Sequence, residues 1–188
     1  MKNRSISSCT ACSLHTNQKP LLDHERRADV VWVGLSSKKV EDYEVETPLQ
    51  ADTNTGKLVA EIEAQCPSQT FYKTNLVKCL PLNDKGKLRY PSISECSLCY
   101  PHLLTEIKEV RPSIVFLLGS KVADFVLKKI GFESPKLSYD YETFFFQGVR
   151  YVPIHHPSYI SVYRRKEKDV YVRAVKRVIE RFIEYPSE

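Results

Sequence analysis

The sequence predicts an α/β fold: a three-layer αβα sandwich built on a mainly parallel central sheet. Three observations carry this expectation. Short apolar runs ending in glycine occur twice, at Val30-Val31-Trp32-Val33-Gly34 and at Ile114-Val115-Phe116-Leu117-Leu118-Gly119. Runs of that kind, without polar alternation, mark strands buried on both faces. Segments with helical spacing of their apolar residues alternate with the strands, which places helices on both sides of the sheet and ligands beyond the carboxyl ends of the strands.

The first strand is expected over Ala28–Gly34 and opens into a polar, irregular loop from Leu35 to Thr55. A helix follows at Gly56–Glu63 and a second strand at Phe71–Val77. Cys79 to Tyr90 reads as a long loop because Pro, Asn and Gly interrupt it. Ser92 and Glu95 have the spacing of a reciprocal capping box, so a helix is expected to begin there and run to about Val110. The strand ending at Gly119 then leads into an amphipathic helix from Lys121 to about Lys129. Phe144 to Ile154 predicts two short strands around a turn, leading into His155-His156-Pro157-Ser158, and Asp169 to Tyr185 predicts a basic amphipathic helix. The loops after Gly34, Asn75, Gly119 and Ile154 are expected to converge.

A chain of 188 residues fits one domain, expected over the whole of 1–188. Its 42% apolar and 27% charged residues suit a globular protein and argue against disorder. The longest apolar runs are far too short for a membrane helix. Met1 to Leu14 is polar where a secretory signal would be apolar, so a cytoplasmic protein is expected. A net charge of +5 is compatible with a polyanionic partner without requiring one.

Six cysteines in a reducing compartment point away from disulfides and toward metal or cluster binding. Cys9 and Cys12 form one CxxC pair, Cys96 and Cys99 another, and Cys79 follows the second strand. Four thiolates suit zinc and iron–sulfur clusters alike, so spacing alone leaves both open. Cys66 reads as a buried structural thiol.

The segment Thr74-Asn75-Leu76-Val77-Lys78-Cys79-Leu80-Pro81-Leu82-Asn83, followed by Pro91, Glu95 and Cys99, resembles a block shared by family 4 and family 5 uracil-DNA glycosylases. The resemblance extends in order to Cys9, Cys12 and Leu14, to the strand ending in Gly34, to Pro112–Gly119 and to His156-Pro157-Ser158. It covers nearly the whole chain. It implies a 4Fe-4S cluster on Cys9, Cys12, Cys79 and Cys99, with Cys96 as the rival to Cys99 and zinc as the alternative. It also implies a monofunctional DNA glycosylase, acting as a monomer on DNA and releasing uracil or another modified base to leave an abasic site.

In such an enzyme the target nucleotide leaves the stack and enters a pocket. The resemblance puts Asn75 where the base edge is read, with Gly34, Leu35, Ser36 and Leu49 around it. Asn75 offers both a donor and an acceptor to O4 and N3–H of uracil. His156 is placed to donate to the oxygen of the leaving base. A carboxylate is expected to position water or stabilise the oxocarbenium-like state. The family 4 glutamate position holds Leu35, whereas family 5 has leucine there and a later aspartate, which aligns with Asp52. Glu41 is the second choice. Leu49 stands where the family has an aromatic residue, and the first motif ends in Ser36-Ser37-Lys38 without its usual prolines. That altered pocket leaves open a larger modified pyrimidine, repair or defence against phages with modified DNA, and a catalytically silent DNA-binding module. Ser158, Tyr159, Ile160 and Tyr163 are expected to meet the DNA strand, Tyr159, Ile160 and Tyr163 as wedges. Arg164, Arg165 and Lys166, together with Lys78, Lys85, Lys87 and Arg89, are expected to neutralise phosphates.

Overall fold

In the computed structural model the described residues are 4–24 and 27–184. After a short helix α1 (Arg4–Ser7) and a 3-10 turn at Ser13–Thr16 come β1 (Val30–Ser36), α2 (Asn54–Ala64), β2 (Phe71–Val77), α3 (Ile93–Val110), β3 (Ile114–Leu118) and α4 (Ser120–Lys129). The chain continues through β4 (Phe144–Phe146), β5 (Val149–Ile154), α5 (Pro157–Tyr163) and α6 (Lys168–Ile179). The sheet order is β2-β1-β3-β5-β4, parallel except for the antiparallel edge strand β4.

Alternate residues of each central strand enter different cores. Val31, Val33, Val115 and Leu117 pack with Leu103, Ile107, Val122 and Val126, which belong to α3 and α4. Val30, Trp32, Ile114, Phe116 and Leu118 pack with Leu58, Ile62, Ile160, Tyr171 and Val175, from α2, α5 and α6. The two-residue period of a strand thus supplies both faces of the three-layer arrangement. Trp32 stacks on Phe116 with ring centroids 4.7 Å apart, and its indole N–H donates to Glu63 at 3.0 Å.

Local chemistry sets the element ends. Ser92 and Glu95 form both bonds of the capping box. Thr53 caps α2 by accepting the Gly56 N–H. Gln147 and Gly148 both have positive φ, 49° and 81°, the type I′ geometry that closes a two-residue hairpin between β4 and β5. β1 runs on past Gly34 to Ser36, two residues beyond the expected end, because Ser36 pairs with Val77. The last helix is shorter than its apolar pattern: α6 ends at Ile179 and a π-helical turn continues over Glu180–Glu184. Tyr185, the expected end, lies outside the described residues. Among the described residues no helix is long and apolar enough to cross a membrane.

Candidate active site

The carboxyl ends of β1, β2, β3 and β5 meet around one cleft, lined among others by Gly34, Leu35, Ser36, Leu49, Asn75, Gly119, His156 and Ser158. Gly34 pairs with Asn75 in the β1–β2 ladder. A β-carbon on Gly34 would lie 2.4 Å from Asn75 Oδ1 and 3.1 Å from Leu49 Cδ2, so only glycine leaves room for the asparagine amide to lie across the strand end. Asn75 is 3% exposed, and no hydrogen bond of its side chain is made among the described residues. Its amide faces the cleft with both hydrogen-bonding ends free.

His156 packs against Gly119, where a β-carbon would come within 3.1 Å of the histidine β-carbon and φ is +88°. It caps α5, with Nδ1 accepting the Ser158 N–H at 3.3 Å and the Ser158 hydroxyl at 2.8 Å. A main-chain N–H can only donate, so Nδ1 carries no proton and the neutral ring presents Nε2–H. Burial lowers the pKa of His156, which favours this neutral form.

Leu49 adopts φ +53° although it is not glycine. α2 approaches this turn so closely that a β-carbon on Gly56 would overlap the Gln50 carbonyl oxygen at 1.8 Å. The Leu49 side chain lines the cleft.

Among the described residues, no aspartate or glutamate lines the cleft. Asp52 lies on the turn before α2 with its side chain 59% exposed, ion-paired to Lys38 at 2.6 Å. Lys38, unlike Asp52, lines the cleft. Burial pulls its pKa down, but hydrogen bonds to Asp52 and to Glu46 more than compensate and raise it. Glu46 accepts the N–H groups of Glu41 and Asp42 at 2.7 and 3.0 Å, and these, with Lys38, hold its pKa near 2. Glu41 points to solvent, 82% exposed, touching Lys39 at 3.5 Å.

Four of the six cysteines share a second cavity. Cys9, Cys12, Cys79 and Cys99 line one cavity with His15, Lys78 and His102, while Cys96 is buried outside it and Cys66 lies in the opposite core. Burial and the neighbouring Cys99, Cys12 and Cys9 push the Cys79 thiol up to about 12. His102 Nε2 lies 3.0 Å from Cys9 Sγ. Among the described residues no three His, Cys, Asp or Glu side chains are close enough to hold a single metal ion.

A family model of the uracil DNA glycosylase superfamily matches residues 22–179. The chain belongs to that superfamily. Relatives of this superfamily member include the Type-4 uracil-DNA glycosylase of Archaeoglobus fulgidus, 29% identical over 94% of this chain and 89% of that protein. The Type-4 uracil-DNA glycosylase of Thermotoga maritima is 28% identical over 86% of this chain and 82% of that protein. That of Pyrobaculum aerophilum is 28% identical over 70% and 66%.

Two expected DNA contacts of this superfamily member are corrected by burial. Ile160 is 0% exposed and packs in the core beneath α5, because it falls on the inner face of that helix while Tyr159 and Tyr163 fall on the outer. Lys78 is also 0% exposed and pairs with Glu106 inside the protein, so it meets no phosphate. Tyr159 and Tyr163 line the cleft mouth, 40% and 75% exposed, with ring centroids 5.7 Å apart. Arg164 pairs with Glu167 at 2.8 Å and Arg165 donates to the Ser161 carbonyl at 2.8 Å, both at the surface. Lys38, Tyr90 and Lys121 also line the cleft and have no motif in the sequence to announce them. Arg89, a cleft residue too, forms a two-bond pair with Glu95, at 2.8 and 2.6 Å.

Proposed function

We propose that this protein is a monofunctional DNA glycosylase that hydrolyses the N-glycosidic bond of uracil, or a closely related base, in DNA. The carrying observation is the pairing of a free, buried Asn75 amide with a neutral His156 Nε2–H on opposite walls of one cleft. The similarity to proteins named Type-4 uracil-DNA glycosylase supports the same reading.

A nucleotide turned out of the stack enters the cleft and presents its base edge to Asn75, whose amide donates to O4 and accepts from N3–H of uracil. As the glycosidic bond lengthens, negative charge builds on the leaving base, and His156 Nε2–H donates a hydrogen bond to it. The ring needs no proton transfer for this, because a neutral donor stabilises the anion without neutralising it. Leu35 and Leu49 exclude water from the base-binding wall. Asp52 is the proposed carboxylate for water or for the sugar cation, and it communicates with the cleft through Lys38. Tyr159, Tyr163 and Ser158 meet the strand at the mouth, with Arg164 and Arg165 beside it for phosphates.

We infer that Cys9, Cys12, Cys79 and Cys99 hold a 4Fe-4S cluster. The donor set fits: four thiols, without a carboxylate, around one cavity. Bound there, the cluster supplies structural cross-linking of the amino terminus to the loop after β2 and to α3.

A second reading, a catalytically silent DNA-binding module, is favoured by the absence of a carboxylate from the cleft lining among the described residues. Abasic-site formation on single- and double-stranded oligonucleotides carrying uracil or other modified pyrimidines separates the two. Product from wild-type protein, lost in Asn75→Ala and His156→Ala, supports the glycosylase. Salt-sensitive DNA binding with no product from any base supports the module.

A further inference from the structure

Lys78 is fully buried and charged. Its ammonium donates to the Glu106 carboxylate, to Thr74 Oγ1 at 2.8 Å and to the main-chain carbonyl of Asn75 at 2.6 Å. Glu106, on α3, also accepts the Tyr72 hydroxyl at 2.9 Å and the Thr74 hydroxyl at 3.0 Å. A buried ion pair is often no more stabilising than well-packed apolar residues of the same volume, so its presence here is better explained by the geometry it fixes.

That geometry is the end of β2. This strand lies at the edge of the sheet, and at Asn75 it pairs with a neighbouring strand on one side only, through Gly34. An edge strand leaves such carbonyls without a partner in the ladder. Lys78 supplies the missing donor to Asn75. The main-chain N–H of Lys78 in turn meets Cys99 Sγ at 3.4 Å, which ties the same residue to the cysteine cavity. The side-chain amide of Asn75 has no hydrogen-bond partner of its own among the described residues. Its direction is therefore set by steric contact with Gly34 and by its own backbone.

We propose that Lys78 and Glu106 are positioning residues for Asn75, aiming its amide into the cleft from behind the sheet edge and linking that aim to the cysteine cavity. The proposal rests on the reading of Asn75 as the base-recognition residue. It makes the buried lysine of the Lys78-Cys79 pair part of substrate recognition although no substrate atom touches it.

The test is a double-mutant cycle. Lys78→Met/Glu106→Gln removes both charges while the glutamine still accepts from Tyr72 and Thr74. It is expected to fold with wild-type iron content and to lose about tenfold or more in kcat/KM for uracil excision. On that background Asn75→Ala is expected to cost less than about fivefold, against about 100-fold alone, the scale of losing one transition-state hydrogen bond. In protein labelled with nitrogen-15 asparagine, the side-chain amide signals of Asn75, identified by their loss in Asn75→Ala, are expected to move. Thr74→Val keeps the ion pair and removes the hydroxyl between its members, giving a milder perturbation with the same expected direction. Fully multiplicative losses, or unmoved amide signals in folded variants, would overturn the proposal. Wild-type protein that excises no uracil counts against the glycosylase reading instead, and the amide signals, which need no turnover, still decide the positioning role.

Discussion

Gly34 and Asn75 stand opposite one another in the β1–β2 ladder, and the asparagine oxygen occupies the space that a β-carbon on residue 34 would take, 2.4 Å from its position. The glycine is thus a requirement of its neighbour's side chain. Gly34→Ala is expected to displace the Asn75 amide, lower uracil excision by about tenfold or more and destabilise the protein by about 1–3 kcal/mol, the usual cost of overpacking. Adding Asn75→Ala removes the clash, so the double variant should recover most of the lost stability while remaining inactive. Chemical denaturation of the four proteins measures this, and simple additivity would rule out the clash.

His156 predicts a pH signature. Its pKa is lowered by burial, and that of His155 is lowered by burial and by Arg164, opposed by Glu167. Between the ordinary histidine value near 6.5 and these lower folded-state values, the unfolded chain binds more protons than the folded one. Stability is therefore expected to be fully present above about pH 6.5 and to fall as the pH drops below it. Excision should persist below pH 6.5 until His156 takes up a proton and Nδ1 can no longer accept from Ser158. Unfolding curves from pH 8 to pH 5, with His156→Ala as the comparison, show whether the acid loss belongs to this ring.

Asp52 and Glu41 are separated by what they touch. Asp52→Asn removes the carboxylate charge that pairs at 2.6 Å with the cleft residue Lys38 and is expected to lower product formation by about 100-fold. Glu41→Gln, on a side chain exposed to solvent, should change the rate less than about twofold. Single-turnover kinetics measure both. An Asp52→Asn enzyme as fast as wild type would leave His156 and Asn75 as the catalytic apparatus.

The cysteines divide four against two. Serine at Cys9, Cys12, Cys79 or Cys99 is expected to reduce iron and sulfide content and lower the unfolding temperature, whereas Cys66→Ser and Cys96→Ser retain the cofactor. Metal and sulfide analysis after anaerobic purification decides this. One zinc per chain in place of iron would reverse the cluster assignment.

Burial separates Ile160 from Tyr163 within one helix. Ile160→Ala is expected to cost about 2–5 kcal/mol of stability through the cavity it leaves. Tyr163→Ala should leave stability within about 0.5 kcal/mol and weaken binding to DNA, since its ring is exposed at the cleft mouth. Thermal unfolding and oligonucleotide titration of both variants test the division.

The sequence by itself determined the architecture and the loops that meet at the cleft. Buried strands such as Val30–Val33 and Ile114–Leu118 are apolar without interruption, and the Ser92–Glu95 cap has a fixed spacing, so local chemistry alone announces them. The motif around Asn75 and Cys79 and the His156-Pro157-Ser158 turn were legible for the same reason: each is a short run of neighbours. What tertiary structure decided was the direction of each side chain. Lys78 in a basic loop and Ile160 in a surface turn carried no local mark of burial, because burial depends on Glu106 and on the core beneath α5, distant along the chain. Lys38, Tyr90 and Lys121 became cleft residues only when two separate loops and the start of α4 met. A single sequence records which residues are adjacent along the chain, whereas charge pairing, exclusion from water and the lining of a cleft depend on residues that are adjacent only after folding.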